Sequence, residues 1–336
     1  MFRGGAYAVL PKGNAEMKRR NDFLLLAFAA AITPAHAQTE IWPTKTVRIV
    51  VPFTPGGNTD RVARMLAARL TTEFGQQFVV ENRAGAGGRI GSEIVARANP
   101  DGYTLAVVPS SFAISAALYR LPYDPVKGIA PISMIVTGPL VMAANQTVKA
   151  SSLKEFIALL RSDPAAIKYG STGAGTNFHL AGELFQQMTQ TEMIHVPYKG
   201  QAAATIDLLS GQIQLMYSGV GTMLPHIKAG KLRGIAVTTS RRSAALPDLP
   251  AVSELLPGYL ADAWSGMWAP AGTPKEIVSR LNQAIADFLK QPDVQESFRI
   301  EGTEAVHTTP EGFARVIAGE IATWSRVVKV GNIKVD

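Results

Sequence analysis

No cysteine occurs in the 336 residues. That absence excludes a disulfide-stapled scaffold and thiolate metal sites, while leaving the redox compartment open. Charge is sparse too, at 18% against 47% hydrophobic residues, which excludes a disordered or collagen-like chain. The longest unbroken apolar run spans only 23–32, about half the roughly 20 residues that a membrane-spanning helix needs. Catalytic signatures are missing as well. There is no G-x-S-x-G nucleophile elbow and no H-E-x-x-H pair, and the four histidines beyond residue 37 (His179, His195, His226, His307) are too scattered to suggest a metal site. Ser151 and Lys154 have S-x-x-K spacing but lie on a helix cap. The loop from Gly85 to Gly91 places Ile90 where a dinucleotide fingerprint requires glycine, and no acidic residue ends the next strand to hold a ribose.

What is present begins with an export signal. Lys18, Arg19 and Arg20 precede the apolar run, and Ala35-His36-Ala37 follows it, the order of a secretory signal peptide with its small-residue cleavage site. Residues 1–37 are therefore expected to be removed, leaving a periplasmic chain that starts at Gln38 and has no membrane anchor. The removed part holds five basic and two acidic residues, so the mature chain carries 28 against 24. A surplus of four positive charges without a basic stripe argues against nucleic acid as a partner.

The mature chain alternates strand and helix patterns. Residues 46–51 are β-branched and apolar apart from Arg48, and Val62, Met65, Leu66, Leu70 and Phe74 follow at helical spacings of three and four. The grammar repeats with strands expected at 78–80, 104–108, 132–136 and 140–144, then at 167–169, 193–196, 213–217 and 235–238, and helices between them. Ser152 and Glu155 read as a capping box. Such alternation predicts an α/β protein with two mainly parallel sheets flanked by helices, and a length beyond what one core fills favours two lobes. Helices close the chain, one starting at Thr273-Pro274 and one at Thr309-Pro310.

Three glycine-rich turns each follow a strand and open a helix, at 52–60, 84–88 and 171–176. Free backbone N–H groups at a helix start, together with roughly half a positive charge from the macrodipole, bind anions without a basic side chain. One such turn in each half suggests an anion gripped from two sides. Asp207, on a short helix after Tyr198, is open to two readings, a solvated helix-face carboxylate or a cleft residue that chooses between ligands.

Trp42-Pro43, then Val51-Pro52-Phe53-Thr54-Pro55-Gly56-Gly57-Asn58-Thr59-Asp60, Glu81-Asn82-Arg83-Ala84-Gly85-Ala86-Gly87-Gly88 and Pro100-Asp101-Gly102-Tyr103-Thr104-Leu105 form an ordered series. His179-Leu180-Ala181-Gly182-Glu183, His195-Val196-Pro197-Tyr198-Lys199-Gly200 and Ala269-Pro270-Ala271-Gly272-Thr273-Pro274 continue it. The series resembles the substrate-binding receptors of tripartite tricarboxylate transporters, the Bug-type proteins, over essentially the whole mature chain. The resemblance implies a two-lobed, type II-like periplasmic-binding-protein fold with a ligand cleft between the lobes. Residues 41–140 plus 263–336 would form the first lobe and 141–262 the second, with crossings near 139–142 and Asp262. It implies a small carboxylate ligand, membrane transporter subunits as partners, a monomer, and neither catalysis, cofactor nor metal. The implied ligand set is Phe53, Thr54, Gly56, Gly57, Asn58 and Asp60 from the first turn, and Ser110 after the third strand. The second lobe would add Ser171, Thr172, Gly173, Ala174, Gly175 and Thr176, with Tyr198 and Asp207. Two departures, the Ala113 to Ala117 stretch and Gly128, bear on pocket shape. An exported carboxylate enzyme and a ligand-sensing adaptor are the competing functions.

Sixteen residues without an evident role precede Met17, so translation in the cell is expected to start there. N-terminal peptides from a processing-blocked strain test this; a peptide containing Arg3 to Lys12 contradicts it.

Overall fold

The computed structural model describes residues 41–164, 166–198 and 200–333; the signal segment and its cleavage at Ala37 lie outside them. Trp42–Asp336 forms one compact unit. β1 (Val47–Val51) is buried at every residue but Arg48, its β-branched side chains suited to a pleated surface. It leads into α1 (Asn58–Phe74), which buries Val62, Ala63, Leu66, Ala67 and Leu70 on one face. The unit recurs as β2 (Phe78–Asn82), α2 (Arg89–Ala96), β3 (Thr104–Pro109) and α3 (Ser111–Leu118), and β4 (Ile129–Gly138) then carries the chain across.

The second half runs β5 (Leu140–Asn145), α4 (Leu153–Ser162), β6 (Lys168–Ser171), α5 (Asn177–Thr189) and β7 (Ile194–Pro197). It continues with α6 (Gln201–Ser210), β8 (Leu215–Gly219), α7 (Val220–Lys228) and β9 (Leu232–Val237). The chain returns as β10 (Ala263–Pro270), α8 (Lys275–Leu289), α9 (Pro292–Ile300), β11 (Glu304–Ala305) and α10 (Pro310–Val330). On α4 the Ser152 hydroxyl accepts from the Glu155 N–H as the capping box requires, but the Glu155 carboxylate reaches back to the Ser151 N–H, one residue further than expected.

Two sheets result, ordered β11-β4-β10-β3-β1-β2 and β7-β6-β8-β5-β9. The α/β two-lobed architecture stands, but the sheets are mixed and not mainly parallel. β10 runs antiparallel to β3 and β4, β11 antiparallel to β4, and β5 antiparallel to β8 and β9. Connectivity is the cause. A strand that enters a sheet at the end where its neighbours leave must run against them, and β5 and β10 both enter from the other sheet.

The same polarity decides where the glycine turns lie. β1 and β3 run in the sense of β4, which Pro139 joins to the start of β5. β6, β7 and β8 run against β5 and so finish where it starts. The C-terminal ends of both parallel sets therefore face the crossing, the position at which open α/β sheets bind ligands.

Each sheet is covered on both faces. One face of the first sheet packs on α1, α8 and α9 through Leu66, Leu281, Ile285 and Phe298; the other packs through Val50, Val108, Trp268, Phe313 and Ile317. The second sheet packs on α4 and α5 through Phe156, Leu160 and Phe185, and on α6 and α7 through Leu208 and Met223. α10 serves both cores. Its Phe313 and Ile317 are buried with the first sheet, while its Trp324 and Val327 are buried with the second. Among the described residues no helix is long and apolar enough to cross a membrane.

Candidate functional site

The first turn is built around a carboxylate that it consumes. Asp60 is buried, and its Oδ2 accepts from the Gly56 N–H at 2.9 Å and from Arg64 Nε at 3.0 Å, while its Oδ1 accepts from Asn82 Nδ2 at 2.9 Å. Burial alone would raise its pKa, but the bonds from Arg64, Gly56 and Asn82 outweigh that and hold it below the ordinary carboxylate range. Asn82 Nδ2 also donates to the Phe53 carbonyl, so β2 ties down both ends of the turn. Gly56 sits at φ +85°, where a side chain would strain the backbone. Thr54, Gly56, Gly57 and Asn58 are exposed. Phe53 packs against the 84–88 turn, where a Cβ added at Gly88 would come within 3.0 Å of its ring.

No side chain caps the start of α1, so the N–H groups of its first turn lack intrahelical partners. Its arginines are already engaged: Arg61 with Asn58 and Glu301, and Arg64 with Asp60 and Asn82. What this turn offers an anion is backbone amides.

The second turn follows the same logic with different residues. Threonine is a favoured N-cap, yet the Thr176 hydroxyl turns back and donates to the Gly173 carbonyl at 2.8 Å, leaving α5 without a side-chain cap. Ser152 and Thr309, by contrast, do cap α4 and α10. The Ser171 hydroxyl lies 3.0 Å from the Gly173 carbonyl, accepts from the Gly173 N–H at 3.1 Å and meets His195 Nε2 at 2.6 Å. Its hydrogen-bonding capacity is spent inside the turn. Thr172 and Ala174 complete the loop, and the Gly175 N–H donates to His179 Nδ1 at 3.1 Å.

His179 and His195, expected from the sequence to be structural or surface residues and not metal ligands, come together beneath this turn. Their rings stack at 3.9 Å, Tyr169 lies 5.0 Å from His195, and the Tyr169 hydroxyl donates to Glu183 Oε1 at 2.7 Å. His179 Nδ1 accepts from the Gly175 N–H, and its Nε2 lies 3.5 Å from Glu183 Oε1. Burial, then the adjacent His179, lowers the His195 pKa to about 4, with Glu183 opposing. The stacked pair thus braces the second turn.

The other expected residues divide. The Tyr198 N–H donates to the Ser171 carbonyl at 3.0 Å, and its hydroxyl donates to Asp207 Oδ2 at 2.7 Å, so the Asp207 carboxylate is engaged by its own lobe. Ser110, 1% exposed, donates its N–H to the Trp264 carbonyl; among the described residues its hydroxyl has no partner, nor has that of Ser111, 5% exposed. Ser111, absent from the sequence-based set, lines a small cavity with Phe53, Gly88 and Tyr123. Thr59, also missed, pairs with Ser265 of β10 at 3.3 Å, locking the start of α1 to the returning strand. Trp264 and Trp268 are buried core residues.

A family model described as "Tripartite tricarboxylate transporter family receptor" matches residues 62–333. The chain belongs to that family. It is a receptor and not an enzyme. Protein BugT of Bordetella pertussis is 36% identical over 315 residues, covering 93% of this chain and 96% of its own. Among solved structures, R. palustris Rpa4515 with adipate is 37% identical with TM-score 0.79, over 87% of this chain and 99% of that one. MatC from Rhodopseudomonas palustris with bound malate is 32% identical with TM-score 0.76, over 85% and 99%.

The neutral His195 has a consequence for stability. An unfolded histidine titrates near about 6.5, so between there and about pH 4 the unfolded chain binds the extra proton and this site loses stability as pH falls. Thermal melts of wild type and His195→Gln are expected to differ most near neutral pH and to converge toward pH 4.5. A gap independent of pH would contradict the buried neutral imidazole.

Proposed function

We propose that this receptor captures a small carboxylate between the first and second turns and delivers it, in the periplasm after cleavage at Ala37, to a tripartite tricarboxylate-type membrane transporter. The lobes in this reading are residues 41–140 plus 263–336 and residues 141–262, and the receptor acts as a monomer. The observation that carries it is the pair of uncapped helices, α1 and α5, each opening at a strand end that faces the crossing. Adipate and malate in the related structures agree with an anion there.

Asp60, Ser171 and Asp207 act in this reading as positioning groups, since their polar atoms already hold the turns and Tyr198. Gly57, Asn58, Thr172 and Ala174 meet the ligand, with the first-turn amides of both helices. Hydrogen bonds to a charged group are worth roughly 1.5 to 3 kcal/mol each, so a few such amides suffice without a free arginine.

Gly57 offers a clean test. A Cβ there meets nothing closer than the Thr54 carbonyl at 3.9 Å, and its φ of −77° is open to any residue. Gly57→Leu should therefore melt close to wild type yet bind at least tenfold more weakly, a loss of about 1.4 kcal/mol or more. Adipate, malate, citrate, glutamate, benzoate and glucose would be titrated into both proteins with thermal-shift readout and NMR of the recovered ligand. A bound carboxylate at a hundredfold excess stabilises by about 2.7 kcal/mol, a rise of a few degrees, and should return unchanged. Stabilisation by glucose alone, or conversion of a carboxylate to product, would overturn the reading.

A further inference from the structure

A cavity of about 230 Å³ lies against both crossings, bordered by Gly138 and Pro139 on one side, residues 239–245 on another and Asp262 and residues 302–304 on the rest. Strand order separates it from the two turns. β1 and β6 stand on one side of the crossing strands β4, β10 and β5, whereas β11 and β9 stand on the other, and the cavity is walled by residues that follow β9 and precede β11. Its volume falls below the roughly 300 to 1,000 Å³ of drug-sized sites and suits a molecule of a few heavy atoms.

The inner lining is rich in acceptors. Among the described residues, the buried Asp262 Oδ1 has no hydrogen-bond partner and no cation pairs with that carboxyl. Burial first, then the negative charges of Glu320 and Glu304, push its pKa up to about 7, the behaviour of a carboxylate without a counter-charge. Three of the five hydroxyls that line the cavity have spent their protons. Thr137 donates to the Ala263 carbonyl, Thr239 to that of Arg241 and Thr303 to that of Phe298, so each can present only lone pairs to the cavity.

The outer lining has the opposite character. Arg241, Arg242 and Arg299 border the cavity with exposed side chains, in ion pairs with Glu304, Glu254 and Glu296 whose partners are also exposed. Exposed pairs of this kind contribute little, so a ligand anion can displace such a carboxylate at small cost. Acceptors inside and guanidinium groups at the rim complement a molecule with an ammonium at one end and a carboxylate at the other.

We infer that this cavity is a second ligand site, separate from the turn site, that takes a small neutral α-amino acid with its ammonium on Asp262 and its carboxylate at Arg241. Because the site touches both crossing segments, its occupancy bears directly on the junction of the lobes.

Titration calorimetry on the mature chain would use glycine, alanine and serine as probes, with methylammonium and acetate each supplying one charge alone. Saturable binding of at least one amino acid is expected, at least tenfold tighter than either single-charge probe. Asp262→Asn should weaken it tenfold or more while leaving the response to adipate unchanged, and the exposed Arg241→Ala, which does not threaten folding, should weaken it likewise. Gly57→Leu should leave amino-acid binding unchanged. The inference is overturned if no probe amino acid saturates the wild type, if acetate or methylammonium binds as tightly, or if Gly57→Leu abolishes the binding while Asp262→Asn and Arg241→Ala preserve it. The adipate response is read separately, so failure of the turn site and failure of this cavity are distinguishable.

Discussion

A single residue, Pro139, separates the last strand of the first outward pass from the first strand of the second sheet, and that short crossing sets the polarity of everything else. With β4 ending where β5 begins, every strand parallel to β4 finishes facing the second sheet, and every strand antiparallel to β5 finishes facing the first. The helices that follow those strands then start at the junction with their positive ends toward it. In the proposed reading neither sheet needs a charged side chain to hold an anion, because the direction of the chain supplies helix-start amides.

What the side chains near the turns do is hold those backbone amides in place. Asp60, Asn82 and Arg64 form a closed set around the first turn, and Ser171, Thr176, His179 and His195 do the same for the second. Asp60, Ser171 and Asp207, which look like ligand contacts in a sequence, are spent on bonds within their own half, whereas Thr54, Gly56, Gly57, Asn58 and Ala174 are exposed. α10 is buried against both cores, so the element that closes the chain also couples the lobes.

Much of this was legible in advance. β1 and α1 announce themselves by β-branched residues and three-and-four spacing, and the glycine turns by composition. α3 was not legible because residues 111–115 are all buried, which erases the polar face that marks a helix. β10 failed for the same reason, being buried at seven of its eight residues, so it shows no alternation. The mixed pairing of the sheets depends on where the chain re-enters, which no local pattern records. The histidine brace is invisible for a different reason. His195 meets Tyr169 only because β6 and β7 pair in parallel with those two residues opposite, and His179 joins them from the next helix. Thr176 shows the limit of propensity: its type suggests a cap, and its actual bond to Gly173 leaves the helix open.

The central claim is that the ligand's charge is met by helix-start amides from both lobes and not by arginine. Backbone and arginine side-chain ¹H–¹⁵N spectra of the mature protein, recorded while adipate is added, test it most directly. The account predicts that the amides of residues 58–60 and of 177–179 shift together in one saturable process while the guanidinium signals of Arg61 and Arg64 stay in place. Shifts confined to one of the two turns, or led by those arginine signals, would contradict it.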